Sequence, residues 1–359
     1  MSDFGESSRA NVHFAGADEG NEGRVSTNRG QGHGVVVPYY RFLHQSGELG
    51  RRVDLLNERL GNCSVCPRKC GVDRLGGELG ACRTGRRAMV ASFCVHRGEE
   101  PCISGNMGSG TVFFAGCNLA CIYCQNCEIS QEWEEGKGEV TPEGLAGIFL
   151  ELESRGVHNI NWVSPGHVVP QAVEALSLAA QRGFSLPVVY NSNGYDDAGT
   201  LKLLDGIVDI YLPDMKYSDD GAAEELSEVR EYTASAKAAI KEMWRQVGDL
   251  ETGEDGVAAK GLLVRHLVLP GGMSQSAEVL RFLKEEVSPD VAVSLMAQYY
   301  PAHLAETDPR IARPLAVAEY EEALDLLDRL GIGNGYVQEL SASGSYRPDF
   351  SKDGHPFEP

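Results

Sequence analysis

The chain has 359 residues, 42% hydrophobic and 23% charged, enough to bury a folded core as one large domain or two small ones. Acidic residues outnumber basic ones 52 to 32, a formal charge of -20, which argues against nucleic acid as the main partner. No run approaches the roughly 18 apolar residues that span a bilayer, and the first twenty residues show no secretory signal pattern, so the expectation is no membrane partner and the reducing cytoplasm.

Residues 1–35, rich in Gly, Asn, Ser and charge without an apolar period, read as a disordered tail. Residues 36–105 read as an N-terminal helix and a cysteine-rich, metal-binding region. In the helix, Leu49, Val53, Leu56 and Leu60 fall on one face, and Gly61 is placed to end it. From Thr111 onward, β-rich runs alternate with helical patterns. The expected strands are TVFFA (111–115), HNINWV (158–163), PVVYNS (187–192), IVDIYLP (207–213), LLVRHLVLP (262–270) and VAVSLM (291–296). Several are nearly continuous apolar runs, as in a parallel sheet covered on both faces. Thr141-Pro142 supplies an N-cap and a first-turn proline, Ser274 is the expected cap of a later helix, residues 222–247 read as helix, and Asp255-Gly256 suits a hairpin turn. Six βα units without GxGxxG after the first strand predict an α/β fold: a partial (βα)6 barrel of the TIM type over residues 106–346, with residues 347–359 as a tail. An open doubly wound sheet is the alternative. Both architectures put function at the C-terminal ends of the strands.

All ten cysteines lie between Cys63 and Cys127. Clustered thiols in a reducing compartment point to metal ligation before disulfides. Directly after the first expected strand come Cys117-x3-Cys121-x2-Cys124 and then Cys127. Thiolates are soft ligands for iron–sulfur clusters or zinc. Three of them on a 4Fe–4S cluster leave one iron open to an exogenous ligand such as S-adenosylmethionine; four would make a zinc site or a closed electron-transfer cluster. The strand-mouth position favours the open cluster, with Cys127 outside it. Upstream, Cys63-x2-Cys66-x3-Cys70-x11-Cys82 has closed-site spacing among glycines, a cysteine-rich knuckle fitting either structural zinc or an auxiliary cluster. Its arginines, Arg68, Arg74, Arg83, Arg86 and Arg87, form either a solvated basic face or a dock for an acidic partner. Cys94 and Cys102 have no assigned role; Cys102 is a candidate to face the cluster region.

The cysteine loop, with Tyr123 before its last cysteine, resembles the signature of the radical S-adenosylmethionine superfamily. FFAGCNLACIYCQN, YNSNGY, DIYLPDMKY, GLLVRHLVLPGG and NCSVCPRKCGVDRLGGELGAC together resemble the branch of pyruvate formate-lyase activating enzyme homologues, over about residues 60–346. The resemblance implies an iron–sulfur oxidoreductase that cleaves S-adenosylmethionine reductively to a 5′-deoxyadenosyl radical, which abstracts hydrogen from a substrate, a glycyl-radical-type protein among the options. It implies an external one-electron reductant of the flavodoxin or ferredoxin type. It also implies that Cys117, Cys121 and Cys124 are the cluster ligands, and that Tyr123, Ser164, Asn193, Asp214 and Lys216 surround the cofactor. Lys216 would meet the methionine carboxylate, with Asp214 organising the pocket. At the second strand end the sequence reads Ser164-Pro165-Gly166-His167, without the carboxylate common there, so Ser164 or backbone carbonyls would replace it. Arg265, His266, His167, Gln298 and His303 are further strand-end candidates, each with an ordinary structural reading beside the functional one. A non-enzymatic iron–sulfur or zinc protein serving electron transfer or scaffolding is the alternative function.

Overall fold

The computed structural model describes residues 37–340, 348–350 and 356; the expected tail 1–35 and most of the expected tail 347–359 lie outside the described residues. The chain enters through α1 (Tyr40–Gln45) and α2 (Glu48–Glu58), and the fully buried Leu49 and Leu56 confirm the predicted apolar face. After the cysteine-rich knuckle come β1 (Ala88–His96), the short α3 (Pro101–Ser104) and β2 (Ser109–Phe114). The cysteine loop and α4 (Cys127–Ser130) lead through β3 (Glu139–Val140) to α5 (Pro142–Ser154). Thereafter strand and helix alternate: β4 (Ile160–Val163), α6 (Val169–Gln181), β5 (Val188–Ser192), α7 (Ala198–Leu201), β6 (Ile210–Pro213), α8 (Asp220–Ser227), α9 (Tyr232–Val247). A hairpin of β7 (Glu251–Thr252) with β8 (Ala258–Leu267) follows, then α10 (Ser276–Phe282), β9 (Ala292–Met296), α11 (Val317–Leu330) and β10 (Asn334–Val337).

The sheet order is β10-β9-β8-β6-β5-β4-β2-β1-β3. From β2 to β10 every pairing along that path is parallel and follows chain order, while β1 is antiparallel to both β2 and β3. A sequential parallel order is the progression of a barrel; a doubly wound sheet reverses direction partway. The architecture is therefore α/β with a mostly parallel, partial-barrel sheet. All six predicted strands are present. Four more belong to the sheet that the sequence did not announce as strands: the two-residue β3 and β7, β1, set in a cysteine-rich context, and β10, whose Asn-Gly opening reads as a turn.

Alternation along each strand separates two faces. Ile160, Trp162, Tyr190, Tyr211, Leu262 and Val264 point outward into the main core with the surrounding helices. Phe149 of α5 stacks on the fully buried Trp162 at 6.0 Å between centroids; replacing such an indole by Ala costs about 3–5 kcal/mol. On the inner face Val189, Ile210, Leu212, Leu263 and Ala292 close around Cys102 and Ile103 of α3. Thus α3 plugs the N-terminal end of the strands. Cys102 lies there, at the opposite end from the cysteine loop, which corrects the expectation that it faces the cluster region.

Local signals behave as chemistry dictates, with two corrections. Thr141 caps α5, accepting from the Gly144 N–H at 3.1 Å, a contact worth about 1 kcal/mol. Gly256, with φ of +76°, turns the predicted hairpin. Ser274 does not cap α10; Gln275 holds that position, and the Ser274 hydroxyl accepts instead from the Leu269 N–H at 3.2 Å, bracing the turn before the helix. The helix expected over 222–247 is broken between α8 and α9, where Glu228 and Glu231 are both left-handed with φ of 53°. The break has a use. Ending α8 frees the carbonyls of Leu226 and Ser227, which accept from the N–H groups of Ile122 and Ala120 in the cysteine loop at 2.9 and 3.1 Å.

Candidate functional site

The cysteine loop leaves the C-terminal end of β2 through Gly116, whose φ is +81°. A Cβ here would lie 2.5 Å from the carbonyl oxygen of Cys82, so glycine lets the knuckle close directly onto the loop. Gly116 N–H donates to Ile129 O at 2.8 Å, and the Gln131 side chain donates to Cys121 O at 3.0 Å. Together with the two α8 carbonyls, these bonds fix the loop that presents Cys117, Cys121 and Cys124.

Each of these three sulfurs has a polar partner. Asn193 Nδ2 donates to Cys117 Sγ at 3.3 Å and the Leu119 N–H does so at 3.4 Å. Ser227 Oγ donates to Cys121 Sγ at 3.0 Å, and Cys124 Sγ lies 3.2 Å from Ser130 Oγ. Donors aimed at thiolate sulfur are what an iron–sulfur site uses to stabilise its charge. Burial pushes the Cys117 thiol up to about 11, opposed by the Leu119 N–H, the Asn193 amide and the Lys216 ammonium. It pushes Cys121 up to about 12, opposed chiefly by Lys216. Unligated, both thiols keep their protons at neutral pH, and metal loading releases them.

Below the thiols the inner face carries a ladder of charge. Lys216 Nζ donates to Asp214 Oδ2 at 2.7 Å, and Arg265 Nε donates to Asp214 Oδ1 at 2.9 Å. Arg265 also donates to Asn191 Oδ1 at 2.5 Å and pairs with Glu99 Oε2 at 3.5 Å, whose other oxygen accepts from Asn161 and Asn191 at 3.1 and 3.2 Å. Burial alone would raise Asp214, but the Lys216 and Arg265 cations hold its carboxyl below the usual range. Burial disfavours charge on Lys216, but Asp214, together with Cys121 and Tyr232, raises it overall. Glu99 is raised by burial, only partly offset by Arg265. Asp214 and Lys216 stand together as their Asp-x-Lys spacing suggested, and the strand-end candidate Arg265 takes its structural reading, a bridge to neighbouring chain segments. Glu99 was missed. It reaches the ladder from the segment before α3, and nothing in GEEP indicates that a chain reversal carries it inside the sheet.

Asn193 is next to the triad, bonded also to Asn118 Oδ1 at 2.7 Å. Tyr123 packs instead among Tyr217 and Tyr299, with its hydroxyl 2.5 Å from that of Tyr217. Tyr217 is 2.7 Å from Ser227 Oγ, so this chain of hydroxyls ends on Cys121. Ser164 ends β4 in a left-handed conformation, its N–H bound to Asn191 O at 2.8 Å. His167 is buried 2.9 Å from Ala115 O, and burial lowers it to about 4. His266 faces outward, between Met215 O at 2.7 Å and Ser276 Oγ at 2.9 Å, and is likewise lowered by burial to about 4. Gln298 joins loops: its carbonyl accepts from Gln125 and its side chain from Gln338.

The knuckle is docked on this mouth. Arg68 donates to Asn118 O at 2.6 Å, Arg74 to His167 O at 2.9 Å and Gly85 O at 3.0 Å, and Arg83 to Gln131 O at 2.6 Å. Arg86 and Arg87 pair with Glu174 and Glu139. The local basic charge thus fastens the knuckle to the barrel, which corrects its reading as a free basic face. Cys63, Cys66 and Cys82 are buried, and Cys70 is half-buried. Cys66 is pushed up to about 12 by burial, with further upward influence from Cys82, Cys70 and Cys63 around it. The Ala81 N–H donates to Cys70 Sγ at 3.5 Å. All four cysteines sit on this one docked knuckle, and Arg74 Nη1 also lies 3.8 Å from Cys63 Sγ.

The fold and the site define an α/β partial barrel with a cysteine loop at the mouth of its first parallel strand. The uncharacterized protein MJ0674 of Methanocaldococcus jannaschii is 30% identical over 290 residues, 79% of each chain, and the present chain belongs to the family of that protein. No family model matches. Among solved structures, the chain has a TM-score of 0.43 and 12% identity to HydG, a maturase of the [FeFe]-hydrogenase, over 62% of this chain and 49% of that one. It has a TM-score of 0.39 and 12% identity to native anSMEcpe with bound AdoMet, over 64% and 59% of the two chains. The chain therefore spans about half of the first of these structures and about three-fifths of the second. Among the described residues, no helix is long and apolar enough to cross a membrane.

Proposed function

We propose that this protein is a radical S-adenosylmethionine enzyme of the cytoplasm, with Cys117, Cys121 and Cys124 as ligands of a 4Fe–4S cluster. The observation that carries the reading is the meeting of three donor-supported thiols with the buried Lys216–Asp214 pair at the C-terminal end of one parallel sheet. When bound, the cluster supplies the single electron that cleaves S-adenosylmethionine to a 5′-deoxyadenosyl radical, which takes a hydrogen atom from the substrate. The chain's own residues bind and orient. Lys216 offers its ammonium to the methionine carboxylate, and Asp214 and Arg265 keep that ammonium charged and aimed. Asn193 steadies the Cys117 sulfur, and the Tyr123–Tyr217–Ser227 hydroxyls steady Cys121. The plug of α3 keeps water out from below. The Cys63, Cys66, Cys70 and Cys82 set holds a second centre, zinc or an auxiliary cluster.

Within this reading, the collinear motifs quoted from the sequence support a glycyl-radical-type protein as substrate, in the manner of pyruvate formate-lyase activating enzymes. The cluster requires an external one-electron reductant of the flavodoxin or ferredoxin type. The test is anaerobic reconstitution with iron and sulfide, followed by S-adenosylmethionine and a strong reductant. 5′-Deoxyadenosine formation is expected, and its loss in Cys121→Ala. A fully assembled cluster that yields none would overturn the enzyme in favour of an electron-transfer or scaffolding protein.

A further inference from the structure

Beside the three thiols stands a second, chemically different grouping. The Cys127 sulfur, a Glu132 carboxylate oxygen and a His303 ring nitrogen all lie within 4.8 Å of one another. Glu132 Oε1 is 3.5 Å from His303 Nδ1. Cys127 and Glu132 come from the turn after the cysteine loop; His303 comes from the segment after β9, some 170 positions away in sequence. The juxtaposition is held by bonds that do not involve the three side chains. The N–H groups of Gln131 and Glu132 both donate to Cys127 O, at 2.8 and 3.0 Å, which curls the first segment back on itself. Gln125 Nε2 donates to Gln298 O at 2.9 Å, tying the two segments together. His303 is moreover left-handed, with φ of 52°, a conformation that costs a non-glycine residue about 1–3 kcal/mol. Its ring is only 14% exposed and turned toward Glu132.

We propose that Cys127, Glu132 and His303 form a mononuclear site for a divalent transition metal of the zinc class. One thiolate, one imidazole and one carboxylate are a borderline-soft donor set suited to zinc or cobalt and unsuited to calcium or magnesium. Thiolate and carboxylate together balance a dication when the imidazole is neutral. Three protein ligands leave the fourth tetrahedral position to water or an exogenous ligand. An open cleft of about 510 Å³, lined by Ile122, Leu304, Thr307, Asp308, Pro309 and Arg310, adjoins the segments that carry the ligands. The site pins the cysteine loop to the loop after β9 and does not depend on the radical reading.

The test is a cobalt titration of the full chain, already loaded with iron and with its knuckle metal, under anaerobic conditions. One further equivalent should bind with a thiolate-to-cobalt charge-transfer band. Cys127→Ser should abolish the band. Glu132→Gln and His303→Gln should each weaken cobalt binding by more than the roughly 10–100-fold seen when an outer partner of a metal ligand is lost, with iron content unchanged. Glu132 is 57% exposed, so its variant folds whatever becomes of the others. Identical titrations of wild type and all three variants would overturn the proposal. So would a fall in iron content in Cys127→Ser as deep as in Cys121→Ser, because Cys127 would then belong to the cluster. Neither readout uses 5′-deoxyadenosine, so failure here is distinct from failure of the enzyme reading.

Discussion

Asp214 is the shared anion of two buried cations, and removing it should reveal how the ladder is balanced. The side chains of Asp214, Lys216 and Arg265 are 13%, 15% and 18% exposed. Arg265 keeps Glu99 and Asn191 when Asp214 is gone, whereas among the described residues Asp214 is the one anion paired with Lys216. Asp214→Asn therefore strands the Lys216 charge, and breaking a buried pair in this way costs about 3–5 kcal/mol. Lys216→Met leaves Asp214 with Arg265 and should cost less. In the double variant the stranded charge is absent, so Asp214→Asn/Lys216→Met should be more stable than Asp214→Asn alone by about 2 kcal/mol, roughly thirtyfold in the folding constant. Urea unfolding of the reconstituted chain, followed by circular dichroism, reads the cycle. A double variant no more stable than Asp214→Asn would refute the claim that the Lys216 charge depends on Asp214. Separately, Lys216→Met should bind S-adenosylmethionine well over tenfold more weakly with its iron content intact.

Three further outcomes follow from the structure. The buried His266 has its pKa lowered to about 4, against roughly 6.5 when unfolded. The unfolded chain then binds more protons between those values, so stability present above about pH 6.5 is lost as pH falls toward 4; by pH 5 wild type should lose about 2 kcal/mol more than His266→Gln, and parallel pH profiles of urea midpoints would contradict this. Gly116→Ala forces a Cβ against Cys82 O at a left-handed position, which should cost about 1–3 kcal/mol and make residues 60–90 protease-sensitive; an unchanged digestion pattern counts against the docked knuckle. Cys63→Ala/Cys66→Ala should lose the knuckle metal, read by elemental analysis as zinc near one per chain or as the second half of about eight irons, while the catalytic cluster persists; loss of neither element would exclude a knuckle centre.

Whatever is set within a few neighbouring residues could be read directly. Short, nearly continuous apolar runs set between helical periods marked six strands of the sheet, because both patterns repeat within a few residues. The Cys117, Cys121 and Cys124 loop and the Asp214/Lys216 pair were legible because their members sit two to four positions apart and one stretch of backbone aims them all. Tertiary structure decided whatever depends on a long chain excursion. Glu99 joins Arg265 across 166 positions, and Asn193 reaches Cys117 across 76. The knuckle arginines find backbone carbonyls only once the barrel has closed beneath them. Tyr123 packs where Tyr217 and Tyr299 arrive from the segments after β6 and β9. The helix over 222–247 breaks at Glu228, and the last carbonyls of α8 meet N–H groups that the distant cysteine loop brings to them. Local pattern fixes which side chains share a face; only the closed sheet fixes which faces meet.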